Sequence, residues 1–322
     1  MSKKIVCFGG GSGLPKVVLE SLKKYNEFSI TSVTSMVDNG GSTGQLRRDF
    51  NVLPPGDIRR HILALSEAED WKKKLWKFRF GHEEFPGGHK GHSFANVFIA
   101  GLEYVTKDYE KVLEIVHDFM KVKGRCLPAT TDQVQLVAKL ENGEEAVGED
   151  EIDVPKKHDA NLKISEVFLR PEGNAYPPVI DVIKEADVII IGPGDLYSSL
   201  IPCFLPKGIK EAMQESKAIK IFICPAMTKL GETQGFDVKK FAEEVERYIG
   251  CELDYVLFNN QVPDEERIKK FKEENPHLLK IVPFEGVSSE KFVGRDLLLD
   301  EGPILYDPVK VEKALIELIR KV

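Results

Sequence analysis

The sequence predicts an α/β fold with a mostly parallel sheet that is covered by helices on both faces. Short apolar strands alternate with amphipathic helices along most of the chain, which is the pattern of such a sheet. Residues 131–170 differ, because apolar and polar residues alternate there between turn residues. No repeat or Pro/Ser-rich linker divides the 322 residues. We therefore predict a single domain over residues 1–322, with a β-rich insertion at about 131–170.

The first elements are a buried strand over residues 5–8 and the glycine-rich turn GGGSGLPK, which follows it at once. A helix is predicted over residues 16–24, where apolar side chains recur, and a second strand over residues 30–37. The next helix is predicted to start at Asp57, a good N-cap for the segment IRRHILALSEAED.

Two further helices are predicted before the insertion. One covers residues 94–104, with Ser93 as its N-cap, and the other covers residues 109–122. Helix–strand alternation resumes after the insertion, and the predicted elements are helices over 178–186, 207–216, 238–248 and 308–321 and strands over 187–191, 220–224 and 255–258.

The composition excludes several classes of protein. With 42% hydrophobic and 30% charged residues the chain has ample core and is not disordered. A net charge of −7 argues against a nucleic-acid partner, since duplex binding needs a dominant basic face. The five cysteines form no CxxC pair and are expected to be reduced. No signal peptide precedes the first strand, and no apolar run approaches the ~18 residues of a membrane span, so we predict a soluble, cytoplasmic protein without a membrane partner.

The loops that follow the predicted strands are unusual. In a parallel sheet the carboxyl ends of the strands share one edge, where ligands bind. GGGSGLPK, DNGGSTG and GPGDLYSS each combine glycines with hydroxyl side chains, and PAMTKLGETQG and NNQ follow two further strands. Loops of this kind present backbone N–H groups and the positive end of a helix, which suit phosphate. We therefore predict a phosphate-bearing ligand at this edge.

Neither common phosphate fingerprint is complete. GGGSGLPK is not a P-loop, because no GK[ST] follows at the required spacing, and this argues against ordinary ATP hydrolysis. Gly11 and Gly13 lack the third glycine of the dinucleotide pattern, where Lys16 stands instead. Asp38 nevertheless ends the second strand about 25 residues later, near the position of a ribose-binding acid. An NAD-type dehydrogenase therefore remains a third alternative.

The histidines between residues 81 and 92 do not predict a zinc site. His82, His89 and His92 are irregularly spaced, and no cysteine or acid accompanies them at ligand spacing. His92 and Asn96 lie one helical turn apart, so both can face the predicted site.

Taken together, these motifs resemble those of the gluconeogenesis factor (YvcK) family, which shares its fold with the CofD-like 2-phospho-L-lactate transferases of coenzyme F420 biosynthesis. The matching stretches, in chain order, are GGGSGL, DNGGSTGQLRRD, PPGDIRRHILAL, WKFRF, GHSFAN, LPATTDQVQL, ADVIIIGPGDLYSSLIP and FICPAMTKLGETQGF. Only the last sixth of the chain is poorly matched.

The resemblance implies a Rossmann-like three-layer α/β/α fold that binds a nucleotide. In the gluconeogenesis-factor branch, which GGGSGL and the MT..GET segment favour, it implies a regulatory protein that binds a UDP-sugar-type ligand in carbon and cell-envelope metabolism, including cell shape. In the transferase branch, the same edge moves a phospholactyl or phosphoryl-linked group from a nucleotide to an acceptor alcohol with Mg²⁺. The sequence leaves open whether any reaction is catalysed, whether Mg²⁺ accompanies the nucleotide and whether the chain forms a homodimer.

The residues predicted to contact the ligand come from these loops and the neighbouring helices. They are Gly10, Gly11, Ser12, Gly13, Leu14, Asp38, Asn39, Gly40, Gly41, Ser42, Thr43, Arg59, His92, Asn96, Gly192, Gly194, Tyr197, Ser198, Ser199, Thr228 and Asn259. Glycine amides and serines are expected to bind phosphate. Asp38 and Asn39 are expected to contact a ribose hydroxyl, a hydrated Mg²⁺ or an acceptor group, and they are the candidates for any catalytic role; no metal site is assigned.

Five positions depart from the family pattern. Asn39 stands where a second acid is usual, and an Asp–Asn pair is a weaker cation site than two carboxylates. Asp195 replaces a serine, and its carboxylate would repel a phosphate unless a cation intervenes or it points away. Pro225 replaces an Asn, and Phe271 and Leu305 replace a Tyr and an Arg, so contacts with the base or the sugar are expected to differ.

Overall fold

The computed structural model describes residues 2–81, 91–287 and 289–321, and a parallel sheet lies at its centre. The strands in the described residues are Lys3–Phe8 (β1), Phe28–Thr34 (β2), Arg125–Pro128 (β3), Gln135–Leu140 (β4), Glu145–Val147 (β5), Ile164–Arg170 (β6), Val188–Ile191 (β7), Ile219–Ile223 (β8), Met227–Lys229 (β9), Tyr255–Asn259 (β10), Leu278–Ile281 (β11) and Phe292–Arg295 (β12).

The central sheet has seven strands in the order β12-β10-β8-β7-β1-β2-β3, and every neighbouring pair is parallel. The chain first fills the sheet outward from β1 to β3. It then crosses to β7 and proceeds outward to β12, so the strand order reverses between β1 and β7. Every residue of β7 is buried, which explains why its sequence is an unbroken apolar run.

Helices cover the sheet on both faces and make the three-layer, Rossmann-like arrangement that the sequence predicts. They are Glu20–Leu22 (α1), Gly41–Phe50 (α2), Gly56–Leu65 (α3), Asp70–Lys77 (α4), Phe94–Thr106 (α5), Tyr109–Met120 (α6), Glu149–Asp153 (α7), Pro177–Glu185 (α8), Ile209–Glu215 (α9), Val238–Ile249 (α10), Glu265–Glu274 (α11) and Pro308–Ile319 (α12), with π-helical turns at Pro15–Leu19 and Leu196–Leu200.

The β-rich insertion is a separate antiparallel sheet in the order β5-β4-β6. In β4, Leu136, Ala138 and Leu140 bury one face, and the other face exposes Gln135 and Lys139. The short helix α7 leaves this sheet and packs against the turn at Leu196–Leu200, beside the carboxyl end of β7. The insertion therefore reaches the edge where the ligand is predicted.

Several predicted boundaries are wrong. β2 ends at Thr34, three residues early, and the helix predicted over residues 16–24 is a π-helical turn that continues into α1 and ends at Leu22. Asp57 is not an N-cap: α3 begins at Gly56 after Pro55, and Asp57 lies in its first turn. Its carboxylate instead accepts a hydrogen bond from the Gly11 N–H.

Two of the sequence predictions concern membrane spans and the cysteines. No helix in the described part of the chain combines the length and the apolar character needed to cross a membrane. All five cysteines are free, and four of them are buried. Burial raises the pKa of the Cys7 thiol, so this side chain is an inert part of the core.

Candidate functional site

The loops after β1 and β7 pack against each other at the point where the strand order reverses. A Cβ at Gly13 would lie 2.7 Å from the carbonyl oxygen of Pro193, so this contact requires glycine. Gly11 has φ +65°, a left-handed conformation that also favours glycine, and it faces the hydroxyl of Ser199. The sequence places these loops on one edge, and the structure brings them into contact.

The backbone donor of Gly11 already has an acceptor within the protein. Its N–H donates to Oδ1 of Asp57 at 3.0 Å, and the Ser35 hydroxyl donates to the other carboxylate oxygen at 3.4 Å. Arg60 pairs with the same carboxylate. A Cβ at Gly10 would lie 2.7 Å from Oδ2 of Asp57, so the acid is closely packed against the loop. A phosphate at this loop would have to displace Asp57.

A second internal carboxylate occupies the turn after β7. Glu232 is buried and accepts from the N–H groups of Tyr197 at 2.8 Å and Ser198 at 3.2 Å, as well as from the Ser198 hydroxyl at 2.9 Å. The Tyr197 hydroxyl donates to Glu244 at 2.7 Å. The polar groups of Tyr197 and Ser198 are therefore engaged, while the half-buried Ser199 faces Gly11.

Lys229 neutralises the carboxylates around this turn. Its ammonium lies 3.0 Å from oxygens of both Asp195 and Glu232 and also pairs with Asp153. Burial lowers the pKa of Lys229, but the three carboxylates outweigh burial and raise it, so the side chain stays charged. Lys229 is thus the cation that compensates Asp195, the acid that departs from the family pattern.

The same three acids are the one group in the described residues with metal-ligand geometry, since their oxygens lie within 4.8 Å of one another. The ammonium of Lys229 already serves as their shared cation. We therefore assign no metal to Asp153, Asp195 and Glu232.

An open cavity of about 410 Å³ lies beside the start of α2. The N-cap of α2 is Gly40, so no side chain among the described residues caps the first amides of the helix. The lining residues come from α2, α3, α5 and the insertion: Asp38, Gly40, Gly41, Ser42, Thr43, Arg59, Arg60, Arg79, Asn96, Glu149, Asp150, Asp153, Val154 and Lys156.

Three arginines, Arg59, Arg60 and Arg79, bring positive charge to this cavity. Burial, together with the charges of Arg60 and Arg79, lowers the pKa of Arg59 to about 10. The Nε of Arg59 is buried and has no hydrogen-bond partner among the described residues. A buried arginine that lacks a partner is stabilised by an anion. The uncapped start of α2 favours the same kind of ligand.

Ser42 connects α2 to α5 at the cavity. Its hydroxyl lies 2.8 Å from Nδ1 of His92 and accepts from Nδ2 of Asn96 at 3.1 Å. Ser93 caps α5 as predicted, accepting from the Asn96 N–H at 3.1 Å. Asn96 is 2% exposed, and its Oδ1 has no partner in the described part of the protein. His92 thus orients a hydroxyl, while His82 and His89 lie outside the described residues.

Asp38 and Asn39 point to different places. Asp38 lines the cavity and accepts from the Gly40 N–H at 2.9 Å. Burial and then the charge of Asp57 raise the pKa of Asp38 to about 6. Asn39 is not among the lining residues; its Oδ1 instead accepts from the Glu149 N–H at 3.3 Å. The two candidates for a catalytic role are therefore separated, and of the two only Asp38 lines this cavity.

Replacing Asp38 by asparagine is expected to raise the melting temperature at pH 8 and to change it little near pH 4. The folded pKa of about 6 lies above the unfolded value near 3.9, so the folded state holds this proton more tightly. That stabilisation is complete below pH ~4 and is lost as the pH rises through 6. Thermal unfolding of Asp38→Asn, with Asp49→Asn at an exposed position of α2 as control, checks this. Equal shifts at both pH values would contradict it.

The other predicted residues lie outside the cavity lining. Leu14 is part of the core, Ser12 is exposed, and Gly192 and Gly194 pack against Leu200. Two polar residues are engaged by the backbone: Thr228 donates to the Lys280 carbonyl at 3.4 Å, and Asn259 donates to that of Gln261 at 2.6 Å.

Three of the positions that depart from the family pattern do not line the cavity either. Phe271 is buried, Leu305 is 53% exposed, and Pro225 is partly buried after β8.

Sequence reasoning missed several residues of the site. Arg60 directly follows the predicted Arg59, so the R-R pair after PPGD is a signal that could have been used. Arg79 lies in the matching stretch WKFRF, whereas the acids of α7 carry no such signal, because only the tertiary fold brings them to the cavity.

A parallel sheet with helices on both faces and a polar cavity at its carboxyl edge defines a Rossmann-like α/β protein with a candidate ligand site. The family model described as 2-phospho-L-lactate transferase CofD matches residues 5–291. A Thermotoga maritima relative is 42% identical over 278 residues, which are 86% of this chain and 85% of the relative. The gluconeogenesis factor of Bacillus subtilis is 34% identical and covers 99% of this chain, with 98% of its own length matched.

A solved structure extends the similarity to three dimensions. The crystal structure of a UPF0052 family member from Bacillus halodurans has a TM-score of 0.87 and 32% identity, covering 98% of this chain and 100% of that one. The chain therefore belongs to the CofD family, among relatives named gluconeogenesis factor.

Proposed function

We propose that this chain is a regulatory protein that binds a UDP-sugar-type nucleotide in the cavity beside α2. One observation carries the proposal: the uncapped start of α2 and the three arginines line one cavity, and together they suit a diphosphate. Its volume of about 410 Å³ is within the range of small-molecule sites. The names of the relatives support a regulatory role in carbon metabolism.

The distribution of charge supports a nucleotide sugar over a simple phosphate. Arginines Arg59, Arg60 and Arg79 line the cavity together with carboxylates, among them Asp38 and Asp153. Carboxylates repel phosphate but accept hydrogen bonds from hydroxyl groups, as in ribose recognition. A ligand with both an anionic part and a hydroxylated part would satisfy both sets of side chains.

A transferase that moves a phosphoryl-linked group to an alcohol is the second candidate. Asp38 favours it, because a carboxyl pKa near 6 suits a general base at neutral pH. This reaction would use Mg²⁺, and Asp38 in the cavity lining offers a hard oxygen ligand that would help to hold the ion. Magnesium would supply charge neutralisation at the phosphates. Turnover of a nucleotide diester that Asp38→Asn abolishes would favour this candidate.

A thermal-shift screen tests nucleotide-sugar binding against the dehydrogenase alternative. UDP-glucose at 100 times its dissociation constant is expected to stabilise the protein by ~2.7 kcal/mol, because it binds only the folded state. ATP and NAD at equal concentrations serve as controls. Stabilisation by NAD alone would contradict the proposal and favour the dehydrogenase alternative.

A further inference from the structure

The antiparallel insertion carries the side chain of Glu149 into the cavity. The backbone before α7 is fixed by Asn39, whose Oδ1 accepts from the Glu149 N–H at 3.3 Å. Gly148 has φ +107°, and a Cβ there would lie 2.8 Å from Nδ2 of Asn39, so only glycine permits this approach. The asparagine that replaces the family's second acid therefore has a structural role, which is to hold the first residue of α7 beside the start of α2.

The carboxyl group of Glu149 differs from its neighbours on α7. Glu151 accepts from the N–H groups of Lys156 and Lys157, and Asp153 pairs with Lys229. Glu149 is half-buried and lines the cavity with Asp38, yet its carboxyl makes no hydrogen bond or ion pair within the described ranges. A partly buried acid without a partner, in a cavity with other acids, lowers stability unless a ligand satisfies it.

The electrostatic environment of Glu149 also indicates that its carboxyl group lacks a partner. Burial, followed by the charges of Asp38 and Asp153, raises the pKa of Glu149 to about 9. Glu149 therefore lowers the stability of the folded protein. Residues with this property are common where a ligand binds.

We propose that Glu149 recognises the sugar of a nucleotide sugar by hydrogen bonding to its hydroxyl groups. The inference rests on the proposed function and adds a specificity residue to it. Arg59 and Arg79 supply positive charge for the diphosphate, so the unmatched chemistry at Glu149 calls for hydroxyl groups and not for a further anion. The insertion, and not the loops after β1 and β7, then distinguishes a nucleotide sugar from the free nucleotide.

Calorimetric titration of UDP and UDP-glucose tests this inference. The wild type is expected to bind UDP-glucose more tightly than UDP by about three- to tenfold, the usual contribution of a single hydrogen bond. Glu149→Ala should bring the two affinities to within about twofold, by weakening UDP-glucose and leaving UDP unchanged. Glu144→Ala, which removes an exposed acid from the same insertion, is the matched control and should keep the preference.

The outcomes separate this inference from the proposed function. An unchanged preference in Glu149→Ala overturns the inference alone. If Glu149→Ala weakens UDP and UDP-glucose equally, and only when Mg²⁺ is present, then Glu149 holds a cation and the inference is overturned. Failure of the wild type to bind either ligand overturns both proposals. Thermal unfolding at pH 8 controls for folding: Glu149→Ala should be at least as stable as the wild type, because it removes a crowded acid.

Discussion

Replacing Arg59 by alanine is expected to weaken UDP-glucose binding roughly 100-fold or more, because truncating one partner of a desolvated charge pair has effects of this size. Arg59 lines the cavity, its Nε lacks a partner among the described residues, and two further arginines surround it. A diphosphate in this cavity would therefore lose one of its counter-charges. Isothermal titration calorimetry measures the loss.

Two comparisons make the Arg59 result specific. Arg48 is exposed on α2 and does not line the cavity, so Arg48→Ala should bind within about twofold of the wild type. The Arg59→Ala chain should remain folded, since Trp76 donates to the backbone carbonyl of residue 59 and not to its side chain. Equal affinities of Arg59→Ala and the wild type would show that the anion binds elsewhere.

Replacing Lys229 by methionine is expected to lower the free energy of unfolding by roughly 3–5 kcal/mol, the usual effect of breaking a buried ion pair. The Lys229 side chain is 5% exposed, and its removal leaves Glu232, which is 0% exposed, without a cation. Asp153 and Asp195 would then repel Glu232 and each other. Denaturant unfolding at pH 7.5 measures the change.

Two further variants separate the effect of charge from that of packing around Lys229. Adding Glu232→Gln to Lys229→Met removes the uncompensated acid and should restore part of the lost stability. Lys240→Met removes an exposed lysine that pairs with Glu243, and its effect should stay within about 0.5 kcal/mol. A loss below about 1 kcal/mol for Lys229→Met would contradict the role that we assign to the cluster.

The parts of the fold that the sequence predicts are those with strong local signals. β1 and β7 are continuous apolar runs, α5 has a serine N-cap, and the insertion alternates in character. The missed elements lack such signals. α4 buries only Trp76, and β3 has four residues and ends in proline. Neither has a periodic pattern that local sequence could reveal.

The site was predictable in position but not in detail. The segment from Asp38 to Thr43 is glycine-rich after a strand, and the structure places most of it at the cavity. The internal acceptors were hidden, because Asp57 is distant in sequence from the Gly11 N–H that it binds, and Glu232 is distant from Tyr197. Only tertiary packing shows that these carboxylates occupy the amides of two loops that otherwise suit phosphate.

The role of the insertion was also beyond sequence reasoning. Its strands could be predicted, but the approach of α7 to the segment before α2 includes a contact between Asn39 and Glu149 that no local pattern indicates. From sequence alone, Asn39 is a lost acid at a potential cation site. In the structure it is the residue that positions another acid, which gives the departure a physical reason.

A crystal structure of the protein with UDP-glucose tests the central claim most directly. The account predicts that the diphosphate lies within hydrogen-bonding distance of the Arg59 guanidinium and the first amides of α2, with the Asp57–Gly11 contact intact. A diphosphate bound to the loop after β1, with Asp57 displaced from Gly11, would contradict it.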